Sequence, residues 1–386
     1  MKIGIDCRPL SRTKAGIGYY LWEILNHWGK IEVPHELILY SASEFAIPPQ
    51  LAASHVRYRQ RVFRVLPPEK WMHTVLPLQL RWDKVDVYWG PNYAMPMLPF
   101  GAPSVLTVHD MVYRVFPETM KRVTYLHNRY GLERYVRWCS HIIADSENTK
   151  QDLMQFLSLP GDKIEVIPLG VSERFDHSLS GQSDDTMMQD LGLDDKSYLL
   201  TVGTLEPRKN LTRVIQAFKL FLQNQHSDRG SSPLLVVVGA AGWGETSAKV
   251  HHELGEAIKY LGYVSDETLG ALYRHAQGFV YMSLYEGFGL PPLEAMRCGT
   301  PVLVSNTSSL PEVVGECGLY ANPNQVEDIA RQMSRLWDDE LHDLLATAGK
   351  ARAEQMLWDI TAEKTLNLLR GVGMRRELAN AKGHQM

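Results

Sequence analysis

The 386-residue sequence has few cysteines and no long apolar run. Its four cysteines, Cys7, Cys139, Cys298 and Cys317, form neither a Cys-x-x-Cys pair nor a cysteine-histidine cluster at metal-site spacing. We therefore expect no disulfide framework and no zinc site, which fits a reducing cytosol. No run of about 18 apolar residues occurs, and the start MKIGIDCRPL lacks the regions of a secretory signal. The expected localisation is cytoplasmic.

Acidic metal motifs and an excess of basic charge are also lacking. There is no Asp-x-Asp and no Asp, Glu or His cluster at metal-site spacing, so we expect neither a metal nor another cofactor. The net charge of -4 gives no general reason to bind nucleic acid.

The charge is nevertheless uneven along the chain. Basic residues outnumber acidic ones in residues 1–180, and the reverse holds in the remainder. Arginines mix with aromatic residues in VRYRQRVFRVLPPEKW (56–71) and KRVTYLHNRYGLERYVRW (121–138). This mixture suits peripheral contact with an anionic membrane or a phosphorylated lipid, and it equally suits a solvated helix face with an ordinary aromatic core side.

The length exceeds what one ordinary core supports, which predicts two domains. Short apolar runs such as KIGID and SVLTV alternate with helical stretches, and this series occurs twice. The pattern is typical of α/β domains with doubly wound parallel sheets. We predict a first domain over 1–180, a linker over 181–196, a second domain over 197–357, and a final helix with its tail over 358–386. Ligands in such folds bind beyond the carboxyl ends of the strands.

The first domain has two candidate ligand contacts at such strand ends. Gly16 and Gly18 precede a helical stretch, where backbone N–H groups can approach a phosphate, although a plain strand-to-helix turn looks the same. His109 and Asp110 end the run SVLTVHD, where histidine can bond a sugar hydroxyl or stabilise developing charge, or the pair can simply cap. Ser146 reads as the N-cap of the next helix.

The second domain places two adjacent cations after a strand. In YLLTVGTLEPRKNL, Arg208 and Lys209 follow a glycine at the strand's end. Two cations there can neutralise a diphosphate leaving group without a metal, whereas the alternative is an exposed basic turn.

The segment EGFGLPPLE carries two glutamates around a loop and a helix start. Glu286 leaves a buried strand, Gly287 and Gly289 bracket an aromatic residue, and prolines 291 and 292 suit a first helical turn. Glu294, which we place in that first turn, can accept hydrogen bonds from both hydroxyls of a ribose. Glu286 would meet hydroxyls of a second sugar. A glycosidase-like acid and base pair is the competing interpretation, which the neighbouring phosphate-binding features disfavour.

Taken together, these motifs give a family resemblance over nearly the whole chain. GIG, VHD, VIPLGV, GTLEPRKN, GYVSDETL and EGFGLPPLE occur in that order. The chain resembles the retaining GT-B glycosyltransferases of the glycogen-synthase-like superfamily, whose most specific motif is E-x7-E. The resemblance implies two Rossmann-like domains facing a central cleft, with a nucleotide-sugar held mainly by the second. It also implies that the final helix, from Trp358, crosses back to the first domain.

The resemblance assigns a role to each motif residue. Glu294 becomes the ribose ligand, Glu286 a donor-sugar ligand, and Arg208 with Lys209 the diphosphate clamp. Many relatives carry an arginine where this chain has Thr204, so the role of Arg208 is less secure than that of Lys209. Further contacts are implied for the diphosphate (Gly16, Gly18), the transferred sugar (His109), the base (Tyr263, Val264) and, through loop amides, the sugar and phosphate (Gly287, Phe288, Gly289, Leu290).

The implied reaction retains the anomeric configuration. The acceptor hydroxyl attacks from the face that the diphosphate leaves, and a phosphate oxygen takes its proton. The motif sequences are similar to those of bacterial mannosyltransferases that build O-antigen and other surface polysaccharides. This resemblance implies GDP-mannose as the donor and a lipid-linked oligosaccharide or polysaccharide precursor as the acceptor. A UDP-sugar donor stays open, as do a nucleotide-sugar 2-epimerase and a non-catalytic binding subunit.

Overall fold

The computed structural model describes residues 1–383 except 12–15, 32, 64–67, 121, 225–231 and 243–254. Its backbone contacts divide the chain into two compact units. The first unit comprises Met1–Arg114, Met120–Gly170 and Trp358–Met386, and the second comprises Val115–Thr119 and Val171–Leu357.

The first unit is built on a seven-stranded sheet in which all neighbouring strands are parallel. The strands are β1 (Lys2–Asp6), β2 (Glu36–Ser41), β3 (Tyr58–Val62), β4 (Val87–Gly90), β5 (Ser104–Val108), β6 (His141–Ala144) and β7 (Ile164–Val166). Their order, β3-β2-β1-β4-β5-β6-β7, begins with the 3-2-1-4-5-6 arrangement of a Rossmann fold. Strands β4 and β5 are buried throughout because helices cover both faces, which explains their continuous apolar runs.

The helices of the first unit follow the strands in the chain. They are Arg8–Ser11, Ile17–Trp28, Pro49–Ala53, Pro68–Asp83, Val112–Val115, Arg122–His127, Asn128–Leu132, Glu133–Trp138, Glu147–Leu157, Gly161–Lys163 and Trp358–Gly383. The short elements Arg8–Ser11 and Gly161–Lys163 are 3-10 turns, and Asn128–Leu132 is a π-helical segment. The expected cap is confirmed, since the Ser146 hydroxyl accepts a hydrogen bond from the Thr149 N–H at 3.1 Å.

The second unit repeats this design with six parallel strands. They are β8 (Tyr198–Val202), β9 (Leu234–Val238), β10 (Ile258–Gly262), β11 (Gly278–Tyr281), β12 (Val302–Ser305) and β13 (Leu319–Ala321), in the order β10-β9-β8-β11-β12-β13. Its helices and 3-10 turns are Pro117–Thr119, Glu173–Phe175, His177–Leu179, Gln182–Asp190, Pro207–Lys209, Leu211–Asn224, Asp266–His275, Leu290–Arg297, Leu310–Val314, Val326–Arg335 and Asp339–Ala353. The predicted α/β class with two Rossmann-like sheets is confirmed.

The segment expected to be a linker has a different structure. Within 181–196, the residues Gln182–Asp190 form a helix of the second unit. Arg274 donates two hydrogen bonds to the Asp184 carboxylate, at 2.6 and 2.9 Å, and both side chains are buried. The partner of Asp184 lies 90 residues away in the chain, so the local sequence did not reveal this helix. The chain passes from the first unit to the second after Gly170, ahead of the expected boundary at residue 180.

The last helix, Trp358–Gly383, packs on the first unit. The indole N–H of Trp28 donates to the carbonyl of Ala362 at 2.9 Å, and the Thr361 hydroxyl donates to the Pro168 carbonyl at 2.7 Å. Trp358 itself is almost completely buried. Within the described part of the chain, no helix combines the length and apolar character needed to cross a membrane.

Candidate active site

The turn after β8 holds the two adjacent cations in a fixed position. Gly203 follows the strand with a φ of 151°, and a 3-10 turn then carries Arg208 and Lys209. Asn210 ends the turn in the left-handed region, with a φ of 58°. Its side-chain amide donates to the carbonyls of Met282 and Pro323, at 3.1 and 2.7 Å. This anchor ties the turn to the carboxyl end of β11, the strand next to β8.

Glu286 lies between the two cations. Its carboxylate oxygens are 2.7 Å from Lys209 Nζ and 2.9 Å from an Arg208 guanidinium nitrogen. Lys209 Nζ also lies 2.5 Å from the Tyr281 hydroxyl, which itself is 3.0 Å from Glu286. The side chains of Arg208, Lys209 and Glu286 are only 16%, 17% and 11% exposed. The structure therefore brings three of the predicted residues together, and it rules out a merely exposed basic turn.

A second carboxylate completes the charge balance around Arg208. Glu206, also buried, is 2.5 Å from the guanidinium, and the Tyr285 carbonyl accepts a further hydrogen bond from Arg208 at 2.6 Å. The cluster thus contains two cations and two carboxylates. The contacts of Arg208 with its neighbours hold its guanidinium in place without a ligand. Among the described residues, no three His, Cys, Asp or Glu side chains are grouped so as to hold a metal ion.

The charges in this cluster shift the pKa values of its members. Burial acts to raise the pKa of the Glu286 carboxyl, but Arg208 and Lys209 outweigh it and lower that pKa to about 2. Burial, together with the nearby Arg208, lowers the pKa of the Lys209 ammonium from its ordinary value, and Glu286 opposes this change. Because Glu286 stays ionised at all ordinary pH values, it keeps its hold on both cations.

The loop after Glu286 leads into a helix through a glycine with a positive φ. The N–H of Glu286 donates to the Ser308 hydroxyl at 3.0 Å, and the Ser309 hydroxyl donates to the carbonyls of Glu286 and Phe288 at 3.0 and 2.5 Å. Gly289, with a φ of 121°, then precedes the helix Leu290–Arg297.

A side chain at Gly289 would also collide with its surroundings. A Cβ there would lie 2.7 Å from the buried side chain of Leu310. Glycine is therefore required both by the backbone conformation and by the space. The predicted loop residues Gly287, Phe288, Gly289 and Leu290 thus lead into a helix N-terminus, where the positive end of the helix dipole favours negative oxygens.

Glu294 lies beyond the first turn of the helix, where it was expected. It is the fifth residue of Leu290–Arg297 and not part of the first turn, because the helix begins at Leu290 with the two prolines inside its first turn. The Tyr273 hydroxyl donates to its carboxylate at 3.2 Å. Burial raises the pKa of Glu294 to about 7, and the charge of Arg174 and the hydrogen bond from Tyr273 only partly oppose this. Of the two glutamates of the E-x7-E motif, Glu286 thus has a lowered pKa and Glu294 a raised one.

The residues expected to contact the base follow β10. Gly262 ends that strand with a φ of 69°, and Tyr263 next to it is 78% exposed, with Val264 half-buried. Strand β10 is at the edge of the sheet, separated from β8 by β9. Parallel strands end at one edge, so Tyr263 and Val264 share that edge with the cation cluster.

In the first unit, the two predicted glycines have different structural roles. Gly16 precedes the helix Ile17–Trp28 with a φ of 49°, and a Cβ there would have open space around it. A Cβ at Gly18 would lie 2.9 Å from the Pro9 carbonyl oxygen. Gly18 is thus needed for packing against the turn Arg8–Ser11, whatever ligand the helix N-terminus receives.

His109, at the end of β5, has a partner at each ring nitrogen. Nδ1 lies 2.7 Å from the Asp145 carboxylate, and Nε2 lies 2.9 Å from the Pro91 carbonyl. Burial lowers the pKa of the imidazole, but Asp145 and the Pro91 carbonyl more than offset this and raise it. A carbonyl only accepts, so Nε2 donates to Pro91, and with Nδ1 held by Asp145 both ring nitrogens are engaged within the protein. Asp110 accepts a hydrogen bond from the Val112 N–H at 3.1 Å, as a capping residue would.

Several site residues were missed by the sequence analysis. Tyr281 and Glu206 contact the cations, Tyr273 contacts Glu294, and Asp145 holds His109. Asp145 carried a usable signal, since it follows β6 just as His109 follows the neighbouring strand β5. Tyr281, the last residue of β11, carried a similar signal by position.

Comparisons with known proteins agree with this architecture. Residues 15–175 match the family described as Glycosyltransferase Family 4, and residues 183–355 match the family described as Glycosyl transferases group 1. The chain is 32% identical to O-antigen chain mannosyltransferase B of Escherichia coli, over 95% of this chain and 99% of that protein. It is also 32% identical to the serotype-specific mannosyltransferase WbdA of Escherichia coli, over 76% of this chain and 36% of WbdA.

The fold is shared with solved structures of low sequence identity. HepE of Anabaena, in complex with UDP and glucose, superposes with a TM-score of 0.73 at 20% identity, over 96% of this chain and 100% of HepE. WaaG, a glycosyltransferase involved in lipopolysaccharide biosynthesis, gives a TM-score of 0.72 at 15% identity and covers 96% of this chain. The fold and the family matches define a glycosyltransferase. The chain belongs to the GT-B glycosyltransferases.

Proposed function

We propose that the protein transfers mannose from GDP-mannose to a lipid-linked oligosaccharide or polysaccharide precursor, with retention of configuration and without a divalent metal. The observation that carries this proposal is the buried cluster of Arg208, Lys209 and Glu286 at the carboxyl end of β8. The mannose assignment is supported by the nearly full-length similarity to an O-antigen chain mannosyltransferase.

The cation cluster suits departure of a nucleoside diphosphate. As the bond between the sugar and the diphosphate breaks, negative charge grows on the leaving phosphate oxygen. Arg208 and Lys209 are already held in place by Glu286, so their stabilising charge requires little rearrangement at that moment. The helix that begins at Leu290 adds the positive end of its dipole, although prolines 291 and 292 supply no N–H.

The same arrangement accounts for the transfer step without an enzymic nucleophile. The acceptor oxygen forms a bond to the anomeric carbon on the face that the diphosphate leaves. Its proton passes to the departing phosphate oxygen, and the nucleoside diphosphate is released. In this proposal Glu286 orients the cations and also accepts a hydrogen bond from a hydroxyl of the donor sugar.

Glu294 suits recognition of the ribose. An ionised carboxylate accepts hydrogen bonds from both hydroxyls of a vicinal diol. Hydrogen bonds to the charged form lower a carboxyl pKa, so a bound ribose would pull the Glu294 pKa below its value of about 7. The donor would thus be bound best by the ionised residue.

Transfer from GDP-mannose in the presence of EDTA, with product release followed by chromatography, tests the proposal. Lys209→Met should greatly reduce turnover, and Lys219→Met, on the exposed side of the helix Leu211–Asn224, should not. The anomeric configuration of the product, read by NMR, tests retention. Transfer from a UDP-sugar would overturn the donor, and formation of a free epimer from donor alone would favour a 2-epimerase. Absence of binding and transfer with every donor would favour a non-catalytic subunit.

A further inference from the structure

One amphipathic helix of the first unit presents apolar residues to solvent. Three consecutive segments, Arg122–His127, Asn128–Leu132 and Glu133–Trp138, form this run, which we name the 122–138 helix. Its inner side is buried through Asn128, Leu132, Tyr135 and Val136. The fold of the unit therefore accounts for one side of the helix and leaves the other uncovered.

Exposed apolar side chains occur from one end of the uncovered side to the other. Val123 is 80% exposed, Leu126 42%, Tyr130 66% and Trp138 57%. Their spacing of three, four and eight residues keeps them along one stripe of a helix. Single exposed apolar residues are ordinary, but a stripe that includes a tyrosine and a tryptophan marks an interaction surface.

Arginines share this surface, and their charge is not compensated. Arg122, Arg134 and Arg137 are exposed, and within the described part of the chain none has a carboxylate within salt-bridge distance. The acidic residue of the helix, Glu133, is already engaged by Arg114 at 2.5 Å and by Arg129. The surface therefore carries net positive charge beside apolar side chains.

The other basic and aromatic stretch, 56–71, has a different structure. Arg59 and Arg61 lie in the edge strand β3, where Arg59 is 2.5 Å from Glu36 and Arg61 is 2.9 Å from Asp83. Arg64, which belongs to the same stretch, lies outside the described residues. Composition made the two stretches look equivalent, but these two arginines of β3 are paired with acids, whereas the three exposed arginines of the 122–138 helix have no acidic partner among the described residues.

We propose that the outer side of the 122–138 helix docks on an anionic lipid surface. The tyrosine, tryptophan and aliphatic side chains would occupy the interfacial layer, and the three arginines would meet lipid phosphates. A second copy of this chain fits less well, since two-fold pairing of the surface would bring its uncompensated arginines together. The inference rests on the proposed lipid-linked acceptor, which such docking would bring within reach.

Vesicle sedimentation of the full chain tests the proposal without donor or acceptor. We expect binding to phosphatidylcholine vesicles that contain phosphatidylglycerol, weak binding to phosphatidylcholine alone, and loss of binding at high salt. Each arginine near an anionic surface contributes about 1 kcal/mol, so combined Arg122→Gln, Arg134→Gln and Arg137→Gln should lower partitioning about 100-fold. Combined Leu126→Ser and Tyr130→Ser should also weaken it.

Matched controls separate this surface from general effects. Arg59→Gln with Arg61→Gln removes two paired arginines, and Leu344→Ser removes a leucine that is 65% exposed on the second unit. Both controls should bind vesicles like the wild type. Circular dichroism melting confirms that each variant folds, and GDP-mannose calorimetry, which reports on the second unit, should be unchanged in all of them.

Two results would overturn the inference. One is vesicle binding by the wild type that does not depend on phosphatidylglycerol, or binding by the triple arginine variant that equals that of the wild type. The other is a dimer in solution that dissociates when Leu126 and Tyr130 are replaced, which would assign the surface to a second copy. A chain that binds vesicles as expected but binds no nucleotide-sugar would retain the docking surface and refute the proposed donor.

Discussion

The two glutamates of the E-x7-E motif should affect stability in opposite directions when each is replaced by glutamine. Glu286 is buried and stabilised as a carboxylate by Arg208 and Lys209, which lower its pKa from 4.5 to about 2. At about 1.36 kcal/mol per pKa unit, this corresponds to roughly 3 kcal/mol. Because the folded pKa is the lower one, this stabilisation is complete above about pH 4.5 and is lost as the pH falls towards 2.

Ionisation of Glu294 has the opposite effect on stability. Burial raises its pKa from 4.5 to about 7, so the free energy of unfolding falls as the pH rises from about 4.5 to about 7, and the full cost is present above that. Glutamine is neutral, so it removes this cost and can still accept the hydrogen bond from Tyr273. Glu294 is only partly buried by surface area, and solvent therefore reduces the gain below the loss expected at Glu286.

Urea unfolding at about pH 8, followed by hydrogen exchange of peptides from β8 and β11, measures both effects in the second unit. Glu286→Gln should lower the free energy of unfolding by roughly 3 kcal/mol, since two buried cations lose their shared partner. Glu294→Gln should be neutral or stabilising. Equal destabilisation by both substitutions, or a neutral effect at Glu286, would refute the electrostatic account of the site.

Three further outcomes follow from the same geometry. Lys209→Met should lower kcat roughly 100- to 1000-fold with a smaller change in donor KM, because a positive charge next to the leaving phosphate is lost. Steady-state kinetics measures both constants, and a change confined to KM would contradict this role. Gly289→Ala should destabilise the second unit by at least about 1 kcal/mol in urea unfolding, owing to its φ of 121° and the contact with Leu310, whereas Gly255→Ala, with open space around it, should not. GDP-mannose binding should strengthen between about pH 6 and pH 8 as Glu294 ionises, and calorimetry of Glu294→Gln should show no such dependence.

The architecture was predictable because strand signals are local. Runs such as SVLTV and YLLTV are apolar throughout, as strands covered on both faces must be, and the residues after them collect at one edge of a parallel sheet. That rule alone directed attention to His109, Arg208, Lys209 and Glu286. It needed no information on tertiary contacts.

The pairings within the site were not predictable from local sequence. His109 meets Asp145 because β5 and β6 are neighbours in the sheet, and Lys209 meets Tyr281 because β8 and β11 are neighbours. Such contacts join residues far apart in the chain. The same reason explains the helix Gln182–Asp190, where Asp184 is buried against Arg274 although its surroundings in the sequence look like a linker.

The central claim is that the second unit binds GDP-mannose through Glu294 and the cation cluster without a metal. Calorimetry of GDP, UDP, GDP-mannose and UDP-glucose in EDTA, with the wild type and Glu294→Ala, tests it most directly. The account predicts selective binding of GDP and GDP-mannose by the wild type and severe weakening in the variant. Selective binding of UDP and UDP-glucose, or GDP-mannose binding that Glu294→Ala leaves unchanged, would contradict it.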